Sequence, residues 1–208
     1  LPGVYGFSPT SREESKVMDY LSDSQPDVII VVIDALHMER NLYLAIEAIE
    51  HFQRVIVVVS KTDHFGQQGY FFKREVLEQN LGVPVFTSAS GQGFATNELM
   101  KAIVEMAEQD HSSLCFYVDY PESTRTKLAG NRGTRGKILK QIEAENEDSQ
   151  LEIIQSRYNA AAQLFKRCTR KKEVKVSWQD KLDSYVLHPL FAVPLMGVVF
   201  GILFFLTF

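Results

Sequence analysis

Two uninterrupted β-branched runs decide what this chain can fold into. Asp27 to Asp34 reads DVIIVVID, and Arg54 to Ser60 reads RVIVVVS. Neither alternates polar with apolar residues, so each predicts a strand buried on both faces, the habit of parallel sheets. Between them Leu42, Ala45, Ile46, Ile49 and Phe52 recur at helical spacing and predict a helix over Glu39 to Phe52. The alternation continues. Phe71 to Leu81 predicts a helix stopped by Gly82, Val83 to Thr87 a third strand, and Thr96 to Glu108 a helix with Leu99, Ile103 and Met106 on one face. Strands and helices taking turns imply an α/β domain with a parallel sheet and right-handed crossovers.

From about His111 the pattern changes. Ser112 to Tyr120 is either a short strand or a connector, broken by Pro121. Thr124 to Lys137 reads as a loop carrying Arg125, Lys127, Arg132, Arg135 and Lys137 with no acidic residue. That is a solvated face or, alternatively, a contact for anionic lipid headgroups. Leu151 to Lys172 predicts a helix whose apolar face is Leu151, Ile154, Tyr158, Ala161, Phe165 and Cys168. This second region reads as a small helical domain.

Charge follows the same division. Residues 1–110 carry 16 acidic and 8 basic side chains, a net of -8, while residues 111–208 carry 10 and 14, a net of +4. Such a shift points the second region toward something anionic. Cys115 and Cys168 stand far apart without metal-ligand spacing and read as two reduced thiols. His37, His51, His64, His111 and His188 are scattered, so no metal site is assigned. Pro189 to Phe208 then runs 20 residues without a charge. At about 1.5 Å per residue this predicts a membrane span of about 30 Å. Six basic residues against Glu173 in Lys166 to Lys175 precede it. Positive flanks mark the cytoplasmic side, so everything before about residue 185 is expected in the cytoplasm.

Chemistry is concentrated at strand ends. Ser60-Lys61-Thr62-Asp63 follows the second buried run directly. A strand-end Lys-x-Asp suits guanine: the carboxylate accepts from the ring N–H and the exocyclic amine, and the Lys stem lies along the ring. Adenine lacks that donor pair, so it would leave the carboxylate unpaired. Ser60 stands where Asn is usual, and its shorter side chain removes a base or loop contact. Thr87-Ser88-Ala89-Ser90 ends the next strand, a small-residue turn whose backbone N–H groups can approach a base oxygen. Leu1-Pro2-Gly3 fits the end of an Asp-x-x-Gly turn, with the Gly N–H on a terminal phosphate and the Mg²⁺-shell Asp falling before Leu1. Tyr5 to Glu14 is then the expected second switch. Val4 occupies the place of a water-orienting Gln, which predicts slow hydrolysis. Asp34 and Glu39-Arg40-Asn41 read as a strand-end turn and a polar helix start.

These segments together resemble the FeoB family of bacterial ferrous-iron transporters. LPGVYGFSPTSREE, DALHMERNLYL, LGVPVFTSAS and WQDKLDSYVLHPLFAVPL each resemble a family segment, nearly from end to end of the chain. The resemblance implies a P-loop GTPase-like domain over residues 1–110, a helical domain and basic linker over 111–175, and the start of a membrane region over 176–208. It implies GTP and GDP as ligands, Mg²⁺ with its ligands largely outside this chain, and Fe²⁺ as the transported substrate in a bacterial inner membrane. Other iron-uptake proteins and further copies of the chain are its possible partners.

The phosphate loop G-x-x-x-x-G-K-[ST] is absent, and both ends read as cut from a longer protein. The chain by itself is therefore expected to bind GTP weakly or not at all. The alternative is a nucleotide-free, degenerate GTPase-like adaptor tethered to a membrane. Gly130 to Gly136 fails G-x-G-x-x-G, which disfavours a dinucleotide-binding oxidoreductase. A negative net charge without an aromatic stacking platform disfavours nucleic-acid binding.

Overall fold

The computed structural model describes residues 6, 16–17, 19–21, 24, 26–88, 96–108, 116, 118–129, 135–171 and 189–207. They fall into two compact units, residues 1–171 and residues 172–208.

The first unit is built on three parallel strands in the order β1 (Ile29–Asp34), β2 (Val55–Ser60) and β4 (Val85–Thr87). Register pairs Asp34 with Ser60 and Val59 with Thr87, so the carboxyl ends of all three strands meet at one edge. Val55 to Val59 of β2 are buried, as a central strand requires. On β1 only Val31 and Ile33 are buried, while Ile30 and Val32 are 42% and 62% exposed. Burial of the first run on both faces is thus corrected. Among the described residues β1 is an edge strand, and one of its faces is left uncovered.

Helix α1 (Met38–His51) lays Leu42, Ala45, Ile46 and Ile49 into the core as its spacing predicted. Helix α2 (Thr62–Gln67) follows β2, and α3 (Arg74–Leu81) ends at Gly82, whose left-handed φ of 69° and N–H to Glu78 O close it. The helix expected from Phe71 is corrected. Tyr70–Phe72 is strand β3, paired antiparallel with β5 (Thr169–Lys171). The three consecutive aromatics suit a pleated surface, and Tyr70 and Phe72 pack on Phe65 from one face. Helix α4 (Thr96–Glu108) has the predicted bounds and packs Leu99, Ile103 and Met106 against Ile56, Val58 and Phe86.

The loop expected over Thr124 to Lys137 is corrected too. Glu122–Leu128 is helix α5 and Arg135–Glu145 is helix α6. Arg125 pairs with Asp119, Lys127 with Glu145, and Arg135 turns inward toward Glu50, so these three cations are not an open basic face. Helix α7 (Glu147–Cys168) begins at Asn146, whose side chain accepts from Ser149 N at 2.7 Å. Its buried face is Ile153, Arg157, Ala161, Leu164 and Cys168, whereas Leu151 and Tyr158 of the predicted face are exposed. Burial pushes the Cys168 thiol up to about 11.

Helices α1 and α6 cross closely. A Cβ on Gly136 would stand 2.5 Å from His51 Nδ1, 2.8 Å from His51 Cα and 3.0 Å from Glu50 O. Two of these are backbone atoms that cannot step aside. Gly136→Ala is therefore expected to destabilise the chain by about 1–3 kcal/mol, read as a lower denaturant midpoint at unchanged slope.

The same crossing buries His51. Burial, then the nearby Arg157 and Lys140 charges, pull its pKa down to about 3. An unfolded His takes up a proton near pH 6.5, and the folded one refuses it until about pH 3. Stability is therefore lost as pH falls through that window, by about 2 kcal/mol between pH 7 and pH 5. Urea melts at the two pH values check this, and His51→Gln should flatten the difference.

In the second unit Pro189–Thr207 forms helix α8, with Pro194 inside it. Nineteen residues measure about 28 Å. Among the described residues no helix is long and apolar enough to cross a membrane, so the span expected over Pro189 to Phe208 is not shown; Phe208 lies outside them.

Candidate functional site

The parallel register gathers three strand ends at one edge, where α/β sheets bind ligands. β2 ends at Ser60, whose Oγ donates to Ile33 O at 3.0 Å and ties the tip of β1 to that of β2. Lys61 then takes a left-handed backbone conformation, φ 58° and ψ 34°. A non-Gly residue there is strained by about 1–2 kcal/mol and marks a turn held by its surroundings. What holds it is visible in the next residue. Thr62 N and Thr62 Oγ1 both donate to Ser88 O, at 3.3 and 3.2 Å, while Ser88 N donates to Val59 O at 2.8 Å. The two strand-end turns, SKTD and TSAS, are thereby stitched together.

Lys61 Nζ reaches back 2.7 Å to Asp34 Oδ2, and Leu36 N donates to Asp34 Oδ1 at 2.9 Å. Burial raises the Asp34 pKa, but the Lys61 ammonium and the Leu36 N–H outweigh it and hold the carboxyl below its ordinary value. His37 Nδ1 adds a weaker contact at 3.6 Å. Asp34, read from sequence as a strand-end turn, is thus also the partner that fixes Lys61. Its position at the end of β1, in register with Ser60, is the signal that could have found it.

Asp63 lies in the first turn of α2, its side chain 27% exposed, with His64 Nε2 3.9 Å from Oδ2. Oδ1 of this half-sheltered carboxylate is buried, and a carboxylate beside the stitched turns is a strong acceptor for N–H donors. Thr87 is exposed at the end of β4. Because the Ser88 N–H is taken by Val59, a backbone donor for a base oxygen falls to later residues of that turn, and Ala89 lies outside the described residues. Leu1, Pro2 and Gly3 lie outside them as well, as do Tyr5 and residues 7–14 of the expected switch. Among the described residues no three His, Cys, Asp or Glu side chains gather to hold a metal ion.

Residues 1–103 match the family described as ferrous iron transport protein B. That region of the chain belongs to that family. A fusion of Fe(2+) transport protein A with the Fe(2+) transporter FeoB from Porphyromonas gingivalis is 33% identical over 109 residues, 52% of this chain. The Fe(2+) transporter FeoB of Staphylococcus aureus strain MSSA476 is 30% identical over 124 residues, 59% of this chain. The matches span only 13% and 18% of those relatives' lengths. Among solved structures, the cytosolic domain of the T. maritima FeoB iron transporter in its GMPPNP form shares the fold, with a TM-score of 0.72 at 24% identity. That likeness covers 82% of this chain and 79% of that one. A mutant S. thermophilus NFeoB bound to mGDP is 27% identical with a TM-score of 0.66, covering 81% and 79%. The α/β fold with a parallel sheet is the fold of FeoB cytosolic G domains.

Proposed function

We propose that this chain is the guanine-reading part of a GTP-regulated Fe²⁺ transporter. What carries the reading is the stitched pair of turns at the strand ends, with Thr62 and Ser88 holding Lys61 and Asp63 on one side of the sheet edge. Asp63 accepts from the base, the Lys61 stem lies along its ring, and Ser60 serves the sheet through Ile33. Thr87, Ser88 and Ala89 are assigned to the base by the TSAS motif, and Leu1, Pro2 and Gly3 to the phosphates by sequence. Mg²⁺ accompanies the phosphates on ligands that this chain largely lacks. The T. maritima relative was crystallised in GDP and GMPPNP forms, which supports guanine nucleotides as the ligands. The division at residues 110 and 175 into G domain, helical domain and membrane start belongs to the same reading. So does inner-membrane residence: α8 exposes Met196, Val198, Val199, Phe200 and Ile202 within its own unit, an apolar surface suited to lipid.

Fluorescent GTP and GDP binding tests the reading, with ATP as competitor, on this chain and on one extended upstream through the phosphate loop. Binding by the extended form alone, with GTP preferred over ATP, is the expected result. If neither form binds, the nucleotide-free adaptor is the better description.

A further inference from the structure

We infer that the two-stranded ribbon β3–β5 is a docking face for an anionic lipid bilayer. The inference rests on the membrane association proposed above and goes further by assigning lipid contact to a surface of the first unit. Strand pairing places Phe71 opposite Arg170, and Tyr70 opposite Lys171. Directly paired residues share a face, so the ribbon has two different sides. Tyr70 and Phe72 turn inward onto Phe65, with ring centroids 5.3 and 6.5 Å apart. Phe71 turns outward and is 51% exposed. Lys73, two residues on, follows the same side, and its N–H extends the pairing to Cys168 O at 2.8 Å.

Arg170 and Lys73 share the Phe71 side, and Lys166 and Arg167 in the last turn of α7 and Lys171 on the Tyr70 side are exposed as well. Lys171 Nζ sits 5.3 Å from the centre of the Tyr70 ring; the other four make no ion pair among the described residues. The following helix offers Glu75 and Glu78, and Glu78 is already engaged by Arg74 at 3.7 Å. Lys166 and Arg167 suit the negative end of α7 without any lipid. That explanation leaves Phe71 untouched. An exposed aromatic with cations on its side is what an interfacial anchor needs: the ring enters the headgroup boundary while the cations meet lipid phosphates. Chain order agrees, because β5 ends at Lys171 and the chain runs on through Lys172 and Lys175 toward the apolar α8.

The test uses the full 208-residue chain with Phe71→Trp in a Trp178→Phe background, reconstituted into vesicles whose acyl chains carry bromine. One set is phosphatidylcholine alone, the other contains phosphatidylglycerol. Flotation reports whether the chain is held, and tryptophan quenching reports whether position 71 reaches the acyl boundary. The expected result is flotation with both sets and quenching with phosphatidylglycerol only. Neutralising Lys73→Gln and Arg170→Gln together should lower the equilibrium constant for engagement about 25-fold, about fivefold for each cation. A chain that floats with both sets but stays unquenched overturns the ribbon proposal and leaves that face to a protein partner. A chain that floats with neither overturns this proposal and the membrane reading together.

Discussion

Replacing Arg157 by Ala is expected to lower the unfolding free energy by about 3–5 kcal/mol, the usual result of stranding a buried charge network. Arg157 is fully buried in α7. Its Nε donates to Glu50 Oε2 at 2.9 Å, and its Nη1 donates to Glu47 Oε1 at 3.0 Å and to Glu143 Oε1 at 2.8 Å. Tyr120 Oη adds a bond of 2.8 Å to Glu50, and Arg135 approaches the same carboxylate at 3.5 Å. Burial alone would pull the guanidinium toward neutrality, but Glu50 first, then Tyr120, Glu47 and Glu143 raise its pKa well above the ordinary value. Burial and Glu50 likewise push the Tyr120 hydroxyl far above the tyrosine range, keeping it a proton donor. Without Arg157, two carboxylates toward the C-terminal end of α1 lose their main counter-charge.

The number matters because a domain of this size is stable by only about 5–15 kcal/mol. Denaturant titration should show the midpoint of Arg157→Ala displaced toward zero denaturant. Arg157→Lys should recover little, since one ammonium cannot reproduce a fork that serves three carboxylates. Combining Arg157→Met with Glu47→Gln and Glu50→Gln should cost less than the sum of the separate losses, because the stranded charges leave together. A loss below about 1 kcal/mol for Arg157→Ala would mean that water or side-chain rearrangement relieves the carboxylates, against the burial described.

That network also shows where sequence reading stops. The apolar spacing of α1 was legible because Leu42, Ala45, Ile46 and Ile49 face a sheet. Glu47 and Glu50 occupy its other side, which periodicity assigns to water, yet both are buried against the helical region. Reading Arg157 as polar in the same way turned the predicted face of α7 toward Tyr158 and Leu151, both of which are exposed. A charged residue is legible as core only when its partners are known, and here two of the three carboxylates lie 107 and 110 residues away. The short ribbon escaped for a related reason: β3 and β5 have three residues each, and their pairing is non-local. At the candidate site the motifs SKTD and TSAS were legible as strings. Their stitching through Thr62 and Ser88, and the Lys61 to Asp34 bond, required the register of three strands.

Asp63→Asn in the upstream-extended chain is expected to weaken GTP and GDP binding by about 100-fold or more and to abolish preference over ATP. A carboxylate meeting two N–H donors makes charge-assisted bonds worth about 1.5–3 kcal/mol each. Asn keeps one acceptor and turns an amide N–H₂ toward the exocyclic amine of guanine, setting donor against donor. Xanthine presents an oxygen at that position, so the same substitution should favour xanthosine triphosphate. Displacement of a fluorescent nucleotide by unlabelled GTP, ATP and xanthosine triphosphate separates the cases. A merely structural role for Asp63 in α2 predicts equal loss for all three, whereas base reading predicts reversal of their order. Lys61→Ala provides the contrast. It releases Asp34 and removes the stem from the ring face, so it should weaken every nucleotide without reversing their order. Reversal by Asp63→Asn without reversal by Lys61→Ala would place base selectivity in one carboxylate, beside the turns that Thr62 and Ser88 stitch together.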